Sequence, residues 1–144
     1  MRLKEKARNF FIKFAYNTVL SKAERKTNSG ENRQVAELPR KALVNFGGWR
    51  VAVINYAERF DEANFERLER HLETDEVFIL LDGRATLIVG TECERIPMEK
   101  GKIYNIKKLG WHHILVDREH PETKLILVEN ADTGKANTEY LYVN

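Results

Sequence analysis

Cysteine is all but absent from this chain of 144 residues. The single one, Cys93, excludes an intramolecular disulfide and is too few for a cysteine metal cage. Flanked by Glu92 and Glu94, its thiol is disfavoured as a nucleophile, because neighbouring negative charge opposes thiolate formation. Long apolar runs are missing too. The longest in the body is Val77–Leu81, far short of a membrane span. No large charge of one sign is present, and a formal net charge of +2 makes no case for nucleic acid. There is no glycine-rich phosphate loop, no Gly-x-Ser-x-Gly elbow, no zinc-finger spacing, no internal repeat and no low-complexity tract. Met1–Arg8 is basic like the start of a signal peptide. Lys13 interrupts the apolar stretch that follows, and no small-residue cleavage site stands out. A cytoplasmic protein is the expectation.

What remains is an ordinary globular composition, 42% apolar and 32% charged, at a length that suits one compact domain. Charge is unevenly placed. Residues 1–41 hold 11 of the 24 Lys/Arg and 4 of the 22 acids, leaving 13 against 18 in the rest. A basic arm thus precedes an acidic body. Residues 3–23 carry Phe10, Phe11, Phe14, Val19 and Leu20 at spacings that form one apolar face, which predicts an amphipathic helix. Residues 24–36 are polar and turn-forming, and read as a link. The expected division is an arm over 1–36 and a β domain over 37–144.

In that domain, short stretches rich in β-branched and aromatic residues recur: 42–46, 49–56, 76–81, 85–89, 102–106, 114–116, 125–128 and 139–143. Turn residues separate them, among them Gly47-Gly48, Asp82-Gly83, Lys100-Gly101 and Thr133-Gly134. This rhythm predicts an all-β sandwich or barrel. The segment 58–70 reads as a short helical turn or a lid-like loop.

Chemistry concentrates at two places. Glu69-Arg70-His71-Leu72-Glu73-Thr74-Asp75-Glu76 sets a histidine among acids just before an apolar strand, and Trp111-His112-His113 follows downstream. Histidine and carboxylate meeting at one point from separate strands are what a metal site needs. Glu76, opening an apolar strand, calls for a partner, since burying a lone charge is costly. Tyr104 and Trp111 read as core or barrel-mouth aromatics, and Lys102 as a surface lysine.

These residues resemble the motifs of the cupin superfamily, small double-stranded β-helix barrels of the jelly-roll type. Glu76 is followed by six residues and then Gly83, and His71 stands five before Glu76, as in the first cupin motif. Glu69 takes the place of that motif's first histidine. In the second motif, one register makes His112 the ligand, with Lys107 where a proline is usual; another puts Gly110 in the glycine place and makes His113 the ligand. Strand alternation favours His112, which shares a face with Ile114 and Val116.

The resemblance, which covers roughly residues 42–130, implies an all-β cupin-type jelly-roll barrel and a homodimer. It implies a divalent metal ion (Mn, Fe, Ni or Zn) held by His71, Glu76, His112 and Glu69. Two histidines with one or two carboxylates leave positions open for water or substrate. Glu73 is the candidate general base. The leading expectation is a metal-dependent enzyme, of isomerase, lyase or dioxygenase type, on a small polar metabolite such as a carbohydrate or a keto or hydroxy acid. A non-catalytic barrel that binds or senses a small ligand, and a metal-free sugar-nucleotide isomerase-like cupin with His71 as acid/base, are the alternatives. No nucleic-acid partner and no transmembrane segment are expected.

Overall fold

The computed structural model describes residues 40–143. The expected helix over 3–23 and link over 24–36 lie outside the described residues. The described chain is built of strands. In order they are β1 (Arg40–Phe46), β2 (Trp49–Asn55), β3 (Arg67–His71), β4 (Glu76–Asp82), β5 (Ala85–Val89), β6 (Glu94–Pro97), β7 (Ile103–Ile106), β8 (His112–Val116), β9 (Lys124–Asn130) and β10 (Thr138–Tyr142). Single 3-10 turns at Glu58–Phe60, Glu62–Asn64 and Lys135–Asn137 are the only helical geometry among the described residues, and none crosses a membrane.

The strands form two antiparallel sheets, ordered β1-β2-β9-β4-β7 and β10-β3-β8-β5-β6. Each sheet interleaves strands distant in sequence, which is how a jelly roll closes its two layers over one core. Between the layers lie Ala52 and Ile54 of β2, Phe78 and Leu80 of β4, Leu87 of β5, Ile114 and Val116 of β8, and Leu125 and Leu127 of β9, all buried. In β4 and β9 each of these alternates with a more exposed neighbour, as the period of two requires. A fully buried leucine of this kind contributes about 1.5–3 kcal/mol. A second, smaller cluster of Leu68, Ile88 and Leu115 sits on the other face of the β3-β8-β5 sheet, covered by Phe65, Trp111, Leu141 and Val143.

Two strands depart from the sequence expectation. The segment 58–70 holds two 3-10 turns, and its last residues open β3. β3 reads Arg-Leu-Glu-Arg-His, and alternation is hidden because its inward residues are polar. β6, Glu-Arg-Ile-Pro, is an edge strand paired only with β5, where charge and proline are tolerated. Gly83 turns β4 into β5 with φ of +76°, and a Cβ there would run into Thr123. The backbone N–H of Arg84 donates to the Thr123 hydroxyl (3.0 Å), which locks that turn.

Candidate functional site

The inward face of β3 carries Arg67, Glu69 and His71 in succession. Glu69 pairs with His112 across β3 and β8, so their side chains emerge on one side. On the opposite sheet, β4 begins with Glu76, and β9 brings Glu129 onto the same inward face as Leu125 and Leu127. Arg50 of β2 lies opposite Glu129. Two sheets therefore aim two histidines and three carboxylates at one end of the barrel.

The geometry is tight. His112 Nε2 lies 2.6 Å from Glu76 Oε2, and His71 Nε2 lies 3.2 Å from the same oxygen. The far nitrogens are held as well: His112 Nδ1 is 2.9 Å from the Gly110 carbonyl oxygen, and His71 Nδ1 is 3.0 Å from Thr138 Oγ1. A carbonyl only accepts, so His112 Nδ1 carries a proton, and its Nε2 donates a second one to the Glu76 carboxylate. His71, Glu76 and His112 are buried at 6%, 3% and 1% exposure. Glu129 is buried beside them and accepts from Arg50 Nε at 2.7 Å, while Arg50 also donates to the carbonyls of Ala131 and Thr133.

Charge is distributed accordingly. Burial pushes the Glu76 carboxyl upward, but the hydrogen bonds from His112 and His71 outweigh it and hold the pKa at about 2. For His112, burial pulls the imidazole down, and the bond to Glu76 overrides it, so its pKa stands above the usual histidine value. His113 is the opposite case. Burial, reinforced by His112 and the guanidiniums of Arg67 and Arg59, lowers it to about 4. Its ring stacks on Phe65 with centroids 5.0 Å apart, and its Nε2 has no hydrogen-bond partner.

A cavity of about 600 Å³ opens beside this cluster. Glu69 and Glu76 contribute to its wall, with Phe78, Ile114 and Leu127 deeper and Arg67, Tyr140, Phe65 and Arg59 also lining it. Both buried histidines stand outside that wall.

The donor set fits a divalent first-row cation. One ligand atom each from Glu69, His71 and His112 lie within 4.8 Å of one another, and so do those of His71, Glu76 and Glu129. Imidazole nitrogen with carboxylate oxygen suits such ions, and the anchored Nδ1 atoms are the outer-shell support that orients histidine ligands.

All four residues expected as metal ligands, His71, Glu76, His112 and Glu69, are brought together here. Of the two neighbouring histidines, His112 faces Glu76, and His113 stacks on Phe65, with which it contributes to the cavity wall. Glu73, expected as general base, is exposed on the turn between β3 and β4 and does not line the cavity. Lys102 pairs with Glu99 on the surface at 2.6 Å, the Tyr104 hydroxyl accepts from the Glu99 backbone, and Trp111 lies under the Arg70 guanidinium. Sequence reasoning missed Glu129, Arg50, Arg67 and Tyr140. For Glu129 a signal existed: it falls two residues after Leu127 and four after Leu125, so the period of two places an acid on the core face. Arg67 and Tyr140 had none, because the strand that aligns them was not legible.

Neither a protein-family model nor a curated protein matches the sequence. Solved structures do match the fold. Pac13 from Streptomyces, described as a nucleoside dehydratase, superimposes with a TM-score of 0.55 at 9% identity, over 72% of this chain and 77% of that one; it has also been solved with uridine. A cupin-2 domain protein from Shewanella frigidimarina gives 0.51 at 17%, over 69% and 91%. A putative sugar phosphate isomerase from Acidithiobacillus ferrooxidans gives 0.52 at 16%, over 72% and 63%. At such identities the likeness is one of fold: the described chain is a cupin-type jelly roll.

Proposed function

We propose that this protein is a metal-dependent cupin enzyme whose substrate is a small, polar, sugar-bearing or hydroxy-acid metabolite. The observation that carries this reading is the convergence of His71 Nε2 and His112 Nε2 on the Glu76 carboxylate at the wall of the cavity. His71, His112 and Glu76 would hold the cation, with Glu69 beside them. Bound there, a divalent cation supplies Lewis-acid polarisation of a substrate oxygen. The chain's own residues do the rest. Gly110 and Thr138 hold the two imidazole rings by their far nitrogens, which leaves both Nε2 atoms turned toward Glu76. Arg50 neutralises Glu129 and keeps a third carboxylate from repelling Glu76. Proton transfer falls to Glu69, half-buried and on the cavity wall, rather than to Glu73. The descriptions of two fold neighbours, a nucleoside dehydratase and a putative sugar phosphate isomerase, support a substrate of this kind.

Plasma mass spectrometry on untagged protein purified without chelator tests the reading. About one equivalent of Mn, Fe, Ni or Zn is expected, lost in His112→Ala. No metal after reconstitution with each of these ions sinks it. A metal-free acid–base site is the second reading, favoured by the 2.6 Å contact between His112 and Glu76 and their opposed pKa shifts. There, ligand binding and turnover survive exhaustive chelation and fail in His112→Gln.

A further inference from the structure

The cavity wall carries charge of both signs, and Glu66 adjoins Arg67 on it. Glu69 and Glu76 lie at the cluster end. Arg67 stands two residues before Glu69 on the same face of β3, about 7 Å away along the strand. Its guanidinium lies over the Tyr140 ring at 4.4 Å and near Tyr142 at 5.9 Å, and its Nη1 donates to the Tyr142 hydroxyl at 3.2 Å. Tyr142 pairs with Arg67, and Tyr140 with Glu69, across β10 and β3. The aromatic stack fixes the plane of the fork. No carboxylate among the described residues lies within ion-pair distance of it, in contrast to Arg50, Arg70, Arg95 and Arg118. One hydrogen bond leaves most of the five N–H donors of a guanidinium available. A planar cation held in place at a cavity wall, with donors to spare, is suited to bidentate binding of an oxyanion.

We propose that Arg67 is the specificity-determining residue of this site and that the substrate carries a terminal phosphate or carboxylate, seated on Arg67 about 7 Å from Glu69. The inference rests on the metal reading of the site. Without a cation, the three wall carboxylates Glu66, Glu69 and Glu76 outnumber the two guanidiniums of Arg59 and Arg67, and a divalent cation reverses that balance in favour of anions.

The test is isothermal titration of the full-length protein, its metal content measured first, with glucose, gluconate, glucose 6-phosphate and inorganic phosphate. At least tenfold tighter binding of glucose 6-phosphate or gluconate than of glucose is expected, falling at least tenfold in Arg67→Gln with metal content unchanged, and partly retained in Arg67→Lys. The relative strength of the two anionic sugars identifies phosphate or carboxylate as the group. Equal binding of neutral and anionic sugars, or failure of every anionic probe including inorganic phosphate to bind the wild type, overturns the proposal, whether or not Arg67→Gln folds. So does an anion preference that persists in Arg67→Gln. A protein that takes up metal but shows no anion preference refutes this inference alone, whereas a protein that takes up no metal refutes the reading beneath it.

Discussion

Glu76 is a carboxylate removed from water, with two imidazoles supplied in its place. Its pKa of about 2 lies below the ordinary 4.5, so its stabilising contribution is present above 4.5 and is lost as pH falls toward 2. His112 runs the other way. Its pKa is raised above 6.5, so its contribution is complete below 6.5 and is lost as pH rises through the folded value. For chelator-treated protein the expected outcome is maximal thermal stability near pH 6.5, read as the melting temperature across a pH series. His113, held down to about 4, costs stability as pH falls below 6.5, Glu76 adds to that loss below 4.5, and His112 weakens the fold as pH rises above 6.5. His112→Gln should flatten the alkaline side. Glu76→Gln removes the negative charge that the two histidines share, and removing one partner of a buried ion pair costs about 3–5 kcal/mol. Urea unfolding of Glu76→Gln near pH 6 measures that loss, and a change within 0.5 kcal/mol, the ordinary range for a surface substitution, would show that the contact is not held in solution.

The element that organises the site is β3. Its outward residue Leu68 is fully buried against Ile88 and Leu115, and its inward residues Arg67 and Glu69 line the cavity. A single strand thus couples stability to function. Leu68→Ala is expected to cost about 2–5 kcal/mol in denaturant unfolding, because the cavity it leaves is walled by packed residues. If metal is bound, the same variant should also weaken metal retention by tilting Glu69 and His71, while Leu141→Ala, at the less buried rim of that cluster, should do so less. The β4–β5 turn gives a sharper test. Gly83→Ala combines a positive φ with a collision at Thr123, and should lower stability by more than the roughly 1 kcal/mol typical of a point mutation. A Gly83→Ala protein as stable as the wild type would show that the turn rearranges.

For the molecule as a whole, metal and fold should be linked. A cation that binds the folded state alone adds about 2.7 kcal/mol when its free concentration is a hundred times its Kd. Differential scanning calorimetry with and without excess Zn or Mn should therefore show a higher melting temperature with metal in the wild type and no shift in His112→Ala. A metal-dependent shift that survives in His112→Ala would move the binding site elsewhere.

Local physics was enough to make the described residues all-β. Short apolar stretches with alternating periodicity, separated by Gly, Asp and Asn turns, specify strands wherever one face is buried, and eight of them were legible. Gly83, Glu76, His71 and His112 were singled out through the resemblance to the cupin motifs, which are spacings along the chain and so can be seen without the fold. Tertiary structure decided the remainder. β3 is polar on its inward face because it borders a cavity, so its alternation becomes apparent only once Leu68, Ile88 and Leu115 are seen to pack together. Glu129, Arg50, Arg67 and Tyr140 join the site through cross-strand register among β2, β9, β3 and β10, and register between strands far apart in sequence is set by closure of the two sheets.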